Sequence, residues 1–400
     1  MTKPSDDGGA EPGTSTRSVH GGEGTVRPGR SITPPVVMSS TYPFENTAEL
    51  HDFMQGRVAR PHEYGRYGNP TIDAVEAKLA ALEGGREAVL MSSGMAAITT
   101  TLLAMLRAGQ HIVLTRDVYR KTRLFVRTLL SRYGVEFDIV DPTAEAIEAA
   151  LREETKIIFT ELPTNPYLRV LDLEAVVGLA KSRRVKTIID ATFATPINFR
   201  PLDLGVDLVV HSTTKYLGGH NDLLGGVVIG RGGLVGAIRD TVGMMGPISD
   251  PHGAYLLFRG LKTLGLRVQR HNENGLRVAR ALEARTDKIE RVWYPGLESH
   301  PDHANATRYL SGHGGVVSFE LKGGIEAGSR LVDAVRIPKI APSLGGVESL
   351  IEQPALMSFY DLSPEQRAEI GIREGLIRFS AGIEDGEDLE RDLMAALDAV

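Results

Sequence analysis

The chain has 400 residues, 42 % hydrophobic and 24 % charged, the proportions of a globular protein and too many residues for one core, so two domains are expected. With 45 Lys and Arg against 51 Asp and Glu, the net charge is −6, and the absence of any basic block argues against a nucleic-acid partner. There is no cysteine, so disulfide, thiolate-nucleophile and thiolate-metal chemistry drop out, and the lack of a membrane-length apolar run or a secretory core sets a cytoplasmic expectation with no membrane partner.

From Met1 to about Pro35, Gly, Pro, Ser, Thr and charge dominate, with no apolar period to support a packed element. An unordered tip of about fifteen residues and then an extended arm to residue 60 are the expectation. After Asn69-Pro70-Thr71, apolar positions fall at helical spacing over Ile72–Ala81. Short apolar runs at Val89–Met91, Ile112–Leu114, Ile157–Thr160, Thr187–Ile189 and Leu208–Val210 read as buried strands. Between them lie helical patterns at Ala96–Arg107, Thr122–Tyr133, Ala144–Glu153 and Leu173–Lys181. This alternation predicts an α/β fold, a mostly parallel sheet with helices on both faces. A long helical pattern follows at Leu261–Arg285. A boundary near Leu264 then separates a large domain, 61–264, from a smaller α+β domain, 265–400. The latter holds a strand at Gly315–Leu321 and helices at Ala327–Val335 and Asp388–Leu397.

Two strand ends carry the chemistry. In Val209-Val210-His211-Ser212-Thr213-Thr214-Lys215, an apolar strand delivers a lysine flanked by hydroxyls and followed by glycines. A lysine at a strand end is commonly a surface charge, but one whose amine is desolvated is a nucleophile suited to a Schiff base with an aldehyde cofactor. Asp190 closes the buried run Thr187-Ile188-Ile189. A carboxylate there is costly unless it caps the next loop or meets a positive partner. The protonated pyridine nitrogen of pyridoxal 5′-phosphate (PLP) is such a partner. Ser93, Gly94 and Met95 begin a helical pattern whose first N–H groups suit a phosphate, with Ser212 and Thr214 as further donors.

With these segments in place, the chain resembles the Cys/Met-metabolism family of PLP enzymes from Ser18-Val19-His20-Gly21-Gly22-Glu23 to Ile383-Glu384-Asp385. The motifs are long and in order: Tyr64-Gly65-Arg66-Tyr67-Gly68-Asn69-Pro70-Thr71, Glu161-Leu162-Pro163-Thr164-Asn165-Pro166, Asp190-Ala191-Thr192-Phe193-Ala194-Thr195-Pro196 and Tyr294-Pro295-Gly296-Leu297-Glu298-Ser299-His300-Pro301. The resemblance implies the PLP-dependent transferase fold type I with a seven-stranded-type sheet, and no metal. It implies a homo-oligomer, a dimer of dimers, whose active site is shared between two subunits. By position, Lys215 is the cofactor lysine, Asp190 the pyridine partner and Tyr119 the stacking tyrosine. Asn165 lies near the phenolic oxygen and Thr192 belongs to the cofactor site. Tyr64 and Arg66 reach a neighbouring subunit's phosphate, and Tyr64 also the substrate. Arg378, with Ser343 beside it, grips the substrate α-carboxylate, for which a planar fork suits.

Within the family, Tyr119-Arg120-Lys121-Thr122-Arg123, Ile340-Ala341-Pro342-Ser343, Gly218-Gly219-His220-Asn221-Asp222 and Met357-Ser358-Phe359-Tyr360-Asp361-Leu362-Ser363 resemble the plant-type cystathionine γ-synthase branch. That branch replaces the γ-group of an activated homoserine with cysteine. Arg120, Lys121 and Arg123 suit an anionic ester, or are ordinary cations at a helix start. Alternatives are a γ-lyase acting on cystathionine or methionine, a specialised γ-substitution enzyme of secondary metabolism, and a silent homologue kept for binding. Lys121, where methionine γ-lyases carry a cysteine, disfavours methionine cleavage.

Overall fold

The structure, a computed structural model, describes residues 12–23, 30–59 and 62–400; most of the expected unordered tip, residues 1–11, lies outside the described residues. The large sheet comprises β1 (Glu87–Met91), β2 (His111–Thr115), β3 (Glu136–Val140), β4 (Thr155–Glu161), β5 (Lys186–Asp190), β6 (Leu208–Ser212) and β7 (Gly226–Gly230), in the order β1-β7-β6-β5-β4-β2-β3. Every neighbouring pair is parallel except the two made by β7, which runs against β1 and β6. Parallel strands read as unbroken apolar runs because both faces are covered. Val113, Ile158, Ile189 and Val209 pack in one core with the helices Pro70–Glu83 and Leu173–Arg183. Ile112, Ile157, Ile188 and Val210 pack in a second with Gly94–Met105 and Leu234–Met245.

The second sheet comprises β8 (Ile289–Trp293), β9 (Val316–Leu321), β10 (Lys339–Ile340), β11 (Leu350–Glu352) and β12 (Leu376–Ser380), in the order β10-β11-β12-β9-β8. Its core joins Phe319, Ile351 and Phe379 to Leu389 and Leu393 of the C-terminal helix Gly386–Asp398. The long helical pattern at Leu261–Arg285 is in fact the end of one helix, Pro251–Leu261, and a second, Leu264–Glu283, broken at Lys262 and Thr263. Buried Arg267 sits at the break and donates to the carbonyls of Tyr216 and Gly260, each at 2.7 Å. The break thus anchors the turn that carries Lys215.

A helix at Thr14–His20 corrects the expectation of no packed element before Pro35. It has no apolar stripe. Instead Lys78, fully buried, donates to the carbonyls of Ser18 at 3.1 Å and Val19 at 2.9 Å and pairs with Glu23 at 3.3 Å. A cation on the last carbonyls of a helix is favourable, and here it substitutes for hydrophobic docking. Likewise the pattern at Thr122–Tyr133 resolves into a helix, Arg120–Thr128, and a separate 3₁₀ turn, Leu130–Tyr133.

Candidate active site

The carboxyl ends of β4, β5 and β6 lie side by side and bring Glu161, Asp190 and Ser212 to one rim, where open α/β sheets bind ligands. Lys215 stands in the turn after β6, and its Nζ donates to Ser343 Oγ at 2.6 Å. Burial first, and then the Arg378 guanidinium, hold the amine at about 8, below its ordinary 10.5, while Glu352 pulls the other way. Ser343 has φ 97°, a backbone region that L residues seldom occupy. The turn is tight because Gly345, at φ 74°, lies against the lysine turn: a Cβ there would meet Tyr216 N at 2.6 Å.

Arg378 lies on β12 directly opposite Glu352 on β11. The two side chains form a 2.8 Å ion pair and are 7 % and 2 % exposed. Arg378 also donates to Ser343 O at 3.0 Å and to Asn165 Oδ1 at 3.3 Å, while its Nε and Glu352 Oε2 are buried without a partner. Burial pushes the Glu352 carboxyl up, against Arg378 and Lys215. Sequence reasoning missed Glu352; its signal is the lone charge in the apolar run Leu350-Ile351-Glu352.

Asp190 is buried and accepts from Thr192 N at 3.0 Å and Thr192 Oγ1 at 2.6 Å, both on Oδ1. Burial raises its carboxyl, and the Thr192 bonds and His211 lower it. Thr192 Oγ1 also accepts from Ser212 N at 2.9 Å, tying β5 to β6. Ser93 caps the helix Gly94–Met105 by accepting from Ala96 N at 3.0 Å. The Gly94 and Met95 amides, at the helix start where N–H groups lack an internal partner, bond to no described residue. Gly94 is required here, since a Cβ would fall 2.8 Å from Ser212 Cβ. Thr214 Oγ1 is engaged with Gly225 N at 3.0 Å. Tyr119, 45 % exposed, starts the helix Arg120–Thr128, and its N–H donates to Glu161 Oε2 at 2.8 Å. Burial, then Asp190 and Asp117, drive the Glu161 carboxyl well above the usual range.

Other expected site residues lie apart. Arg66 donates to Gly243 O and to Tyr67 Oη, and among the described residues no hydrogen bond joins Tyr64 or Arg66 to the Lys215 cluster. Lys121 is exposed and unpaired among the described residues. Arg120 is committed elsewhere, to Ser358 O and Asp361 Oδ2, each at 2.6 Å. Arg123 faces a cavity beside Asn165 and Asp117.

The donor set fits PLP: a lysine amine depressed to about 8, a buried carboxylate whose Oδ2 has no bond among the described residues, and the unbonded Gly94 and Met95 amides beside a cradle that a Cβ would fill. Comparison agrees over nearly the whole chain. The chain is 49 % identical over 390 residues to cystathionine gamma-synthase 1, chloroplastic, of Arabidopsis thaliana, covering 96 % of this chain and 68 % of that protein. It is 41 % identical to L-methionine gamma-lyase of Pseudomonas putida, covering 97 % and 98 %. The crystal structure of cystathionine gamma synthase from Xanthomonas oryzae pv. oryzae in complex with aminoacrylate and cysteine superposes with a TM-score of 0.90 at 38 % identity, covering 98 % and 99 %. The architecture is therefore fold type I, as the resemblance implied. With residues 15–398 matching the family described as Cys/Met metabolism PLP-dependent enzyme, the chain belongs to that family and is a PLP-dependent enzyme.

Proposed function

We propose that this enzyme carries out γ-replacement, forming a bond from the sulfur of cysteine to Cγ of an O-activated homoserine as the ester oxygen leaves, to give cystathionine. The observation that carries this reading is the contact of Arg120 with Ser358 and Asp361. It fastens together two segments through which the chain resembles the plant-type synthases, next to the stacking tyrosine.

When bound, PLP supplies an electron sink for charge developing beside the substrate amine. We assign the rest to the chain's own residues. Lys215, with an appreciable unprotonated fraction near neutral pH, takes and returns protons at the substrate Cα. Asp190, held by Thr192, keeps the ring nitrogen protonated. Tyr119 would cover the cofactor ring and Asn165 would lie by its phenolic oxygen, while Ser93, Gly94, Met95, Ser212 and Thr214 would hold its phosphate. Arg378, fixed by Glu352, Asn165 and Ser343, offers its fork to the α-carboxylate. Lys121 meets the anionic ester group.

In this reading Tyr64 and Arg66 act on the neighbouring subunit of a homo-oligomer, a dimer of dimers. The enzyme is cytoplasmic and takes small amino-acid substrates; among the described residues no helix is long and apolar enough to cross a membrane. The test is to offer phospho-, acetyl- and succinyl-homoserine with and without cysteine and identify products by mass. Cystathionine should dominate with cysteine present. Dominant 2-oxobutyrate under saturating cysteine, or efficient cleavage of methionine, would establish a lyase instead.

A further inference from the structure

Glu352 and Arg378 are held together by charge rather than by a hydrogen bond. On β11, Glu352 stands opposite Arg378 of β12, next to Ile351 and Phe379, which are both fully buried. Its Oε1 lies 2.8 Å from Arg378 Nη2, yet the hydrogen bonds of that guanidinium go to Asn165 Oδ1 and Ser343 O. Glu352 Oε2 is buried with no partner. Other charges bear on it weakly or not at all. Lys215 acts on it from the turn after β6, but in the holoenzyme that amine is committed to the cofactor. Lys339, on the neighbouring strand β10, is exposed and pairs opposite Leu350. Gln353, beside it in sequence, is neutral and bonded to Ile325 O at 2.9 Å and Ser329 Oγ at 3.0 Å. One buried cation and one buried anion thus balance before any ligand arrives.

A substrate α-carboxylate on Arg378 upsets that balance, because one guanidinium then serves two carboxylates with little water to screen them. Like charges brought together out of water do not both stay ionised. The ligand's carboxylate gains the hydrogen bonds of the planar fork, whereas Glu352 accepts no hydrogen bond from Arg378 that a proton would forfeit. Burial already pushes the Glu352 carboxyl upward. We propose that Glu352 takes up one proton from solvent when the substrate carboxylate docks on Arg378, and returns it to solvent when the ligand leaves. Glu352 acts through Arg378, as a positioning residue that ties the grip on the carboxylate to pH. Because the bound state holds the extra proton, affinity falls as pH rises. The inference rests on the reading of Arg378 as the carboxylate grip and is indifferent to which nucleophile follows.

The test is a proton count on the holoenzyme. It is titrated by calorimetry with aminooxyacetate and with O-methylhydroxylamine, which lacks only the carboxylate. Both displace Lys215 from the cofactor and both carry amines that are uncharged at neutral pH, so protons moved in that exchange cancel in the difference. Titrations in buffers of different ionisation enthalpy give the number of protons taken up. The expected difference approaches one proton per site at about pH 8. Glu352→Gln should abolish it and make the preference for aminooxyacetate independent of pH and about tenfold larger at that pH. In the parent protein, the infrared difference spectrum with aminooxyacetate carrying carbon-13 in its carboxylate should show a protonated-carboxyl band of protein origin, so the assignment does not hang on the variant. Equal affinities for the two compounds would overturn the carboxylate grip and the proposal with it. A preference for aminooxyacetate with no extra proton, an extra proton that survives Glu352→Gln, or one without a carboxyl band, as when Lys215 takes it, would overturn the proposal and leave the grip standing.

Discussion

Lys215 should destabilise the cofactor-free protein, and Lys215→Met should relieve that burden in a pH-dependent way. The amine titrates at about 8 in the fold against 10.5 when unperturbed. At about 1.4 kcal/mol per tenfold change in proton affinity, the fold opposes the charged amine by about 3 kcal/mol below pH 8. Met keeps the stem and removes the charge, while giving up the bond to Ser343 Oγ, so a net gain of about 1–3 kcal/mol is expected at pH 7. The sign follows from proton counting. Between about 8 and 10.5 the unfolded chain binds more protons at this site than the folded one, so the parent protein gains stability as pH rises through that window. The advantage of Met must shrink over the same interval and vanish near its upper end. Denaturant midpoints of both cofactor-free proteins at pH 7 and pH 10 measure this, contributions common to the two proteins cancelling in the difference. Equal stability at pH 7, or a gain that does not decline toward pH 10, would refute the placement of Lys215 as a desolvated amine.

Glu352→Ala should cost about 3–5 kcal/mol in the same assay by leaving Arg378 buried and uncompensated, whereas Glu352→Gln, which can still accept from the guanidinium, should cost clearly less. Arg378→Lys should lower kcat/KM for amino-acid substrates by roughly 100-fold through loss of the bidentate grip while PLP content, read by absorbance, stays intact. Mixing inactive Lys215→Ala with inactive Tyr64→Ala/Arg66→Ala should restore activity at roughly a quarter of the sites after random reassortment into dimers; no recovery, once mass analysis confirms exchange, would reject a shared site.

The most legible features in the sequence were those that strand periodicity delivers. Asp190 and the Lys215 segment end apolar runs that are buried on both faces, and the Ser93–Met95 start follows from a strand giving way to a helix. The edge strand β3 and the reversed strand β7 were not legible. β3, Glu-Phe-Asp-Ile-Val, carries edge polarity, and β7, Gly-Val-Val-Ile-Gly, is too short and glycine-bound to show its direction. Glu352 and Arg378 are far apart in sequence and meet only because β11 and β12 pair antiparallel in that register. The Thr14–His20 helix has no apolar pattern to read, being held by Lys78 some sixty residues on.

Every proposed role in the site depends on Lys215 being the amine that carries PLP. Treating holoenzyme with borohydride, digesting it under denaturing conditions and sequencing the modified peptide by mass spectrometry tests this directly. The pyridoxyl label should sit on Lys215, in the peptide that continues Tyr216-Leu217-Gly218-Gly219, and Lys215→Ala should fold and take up no label. A label on any other lysine, or full labelling of Lys215→Ala, would contradict the site and the mechanism built on it.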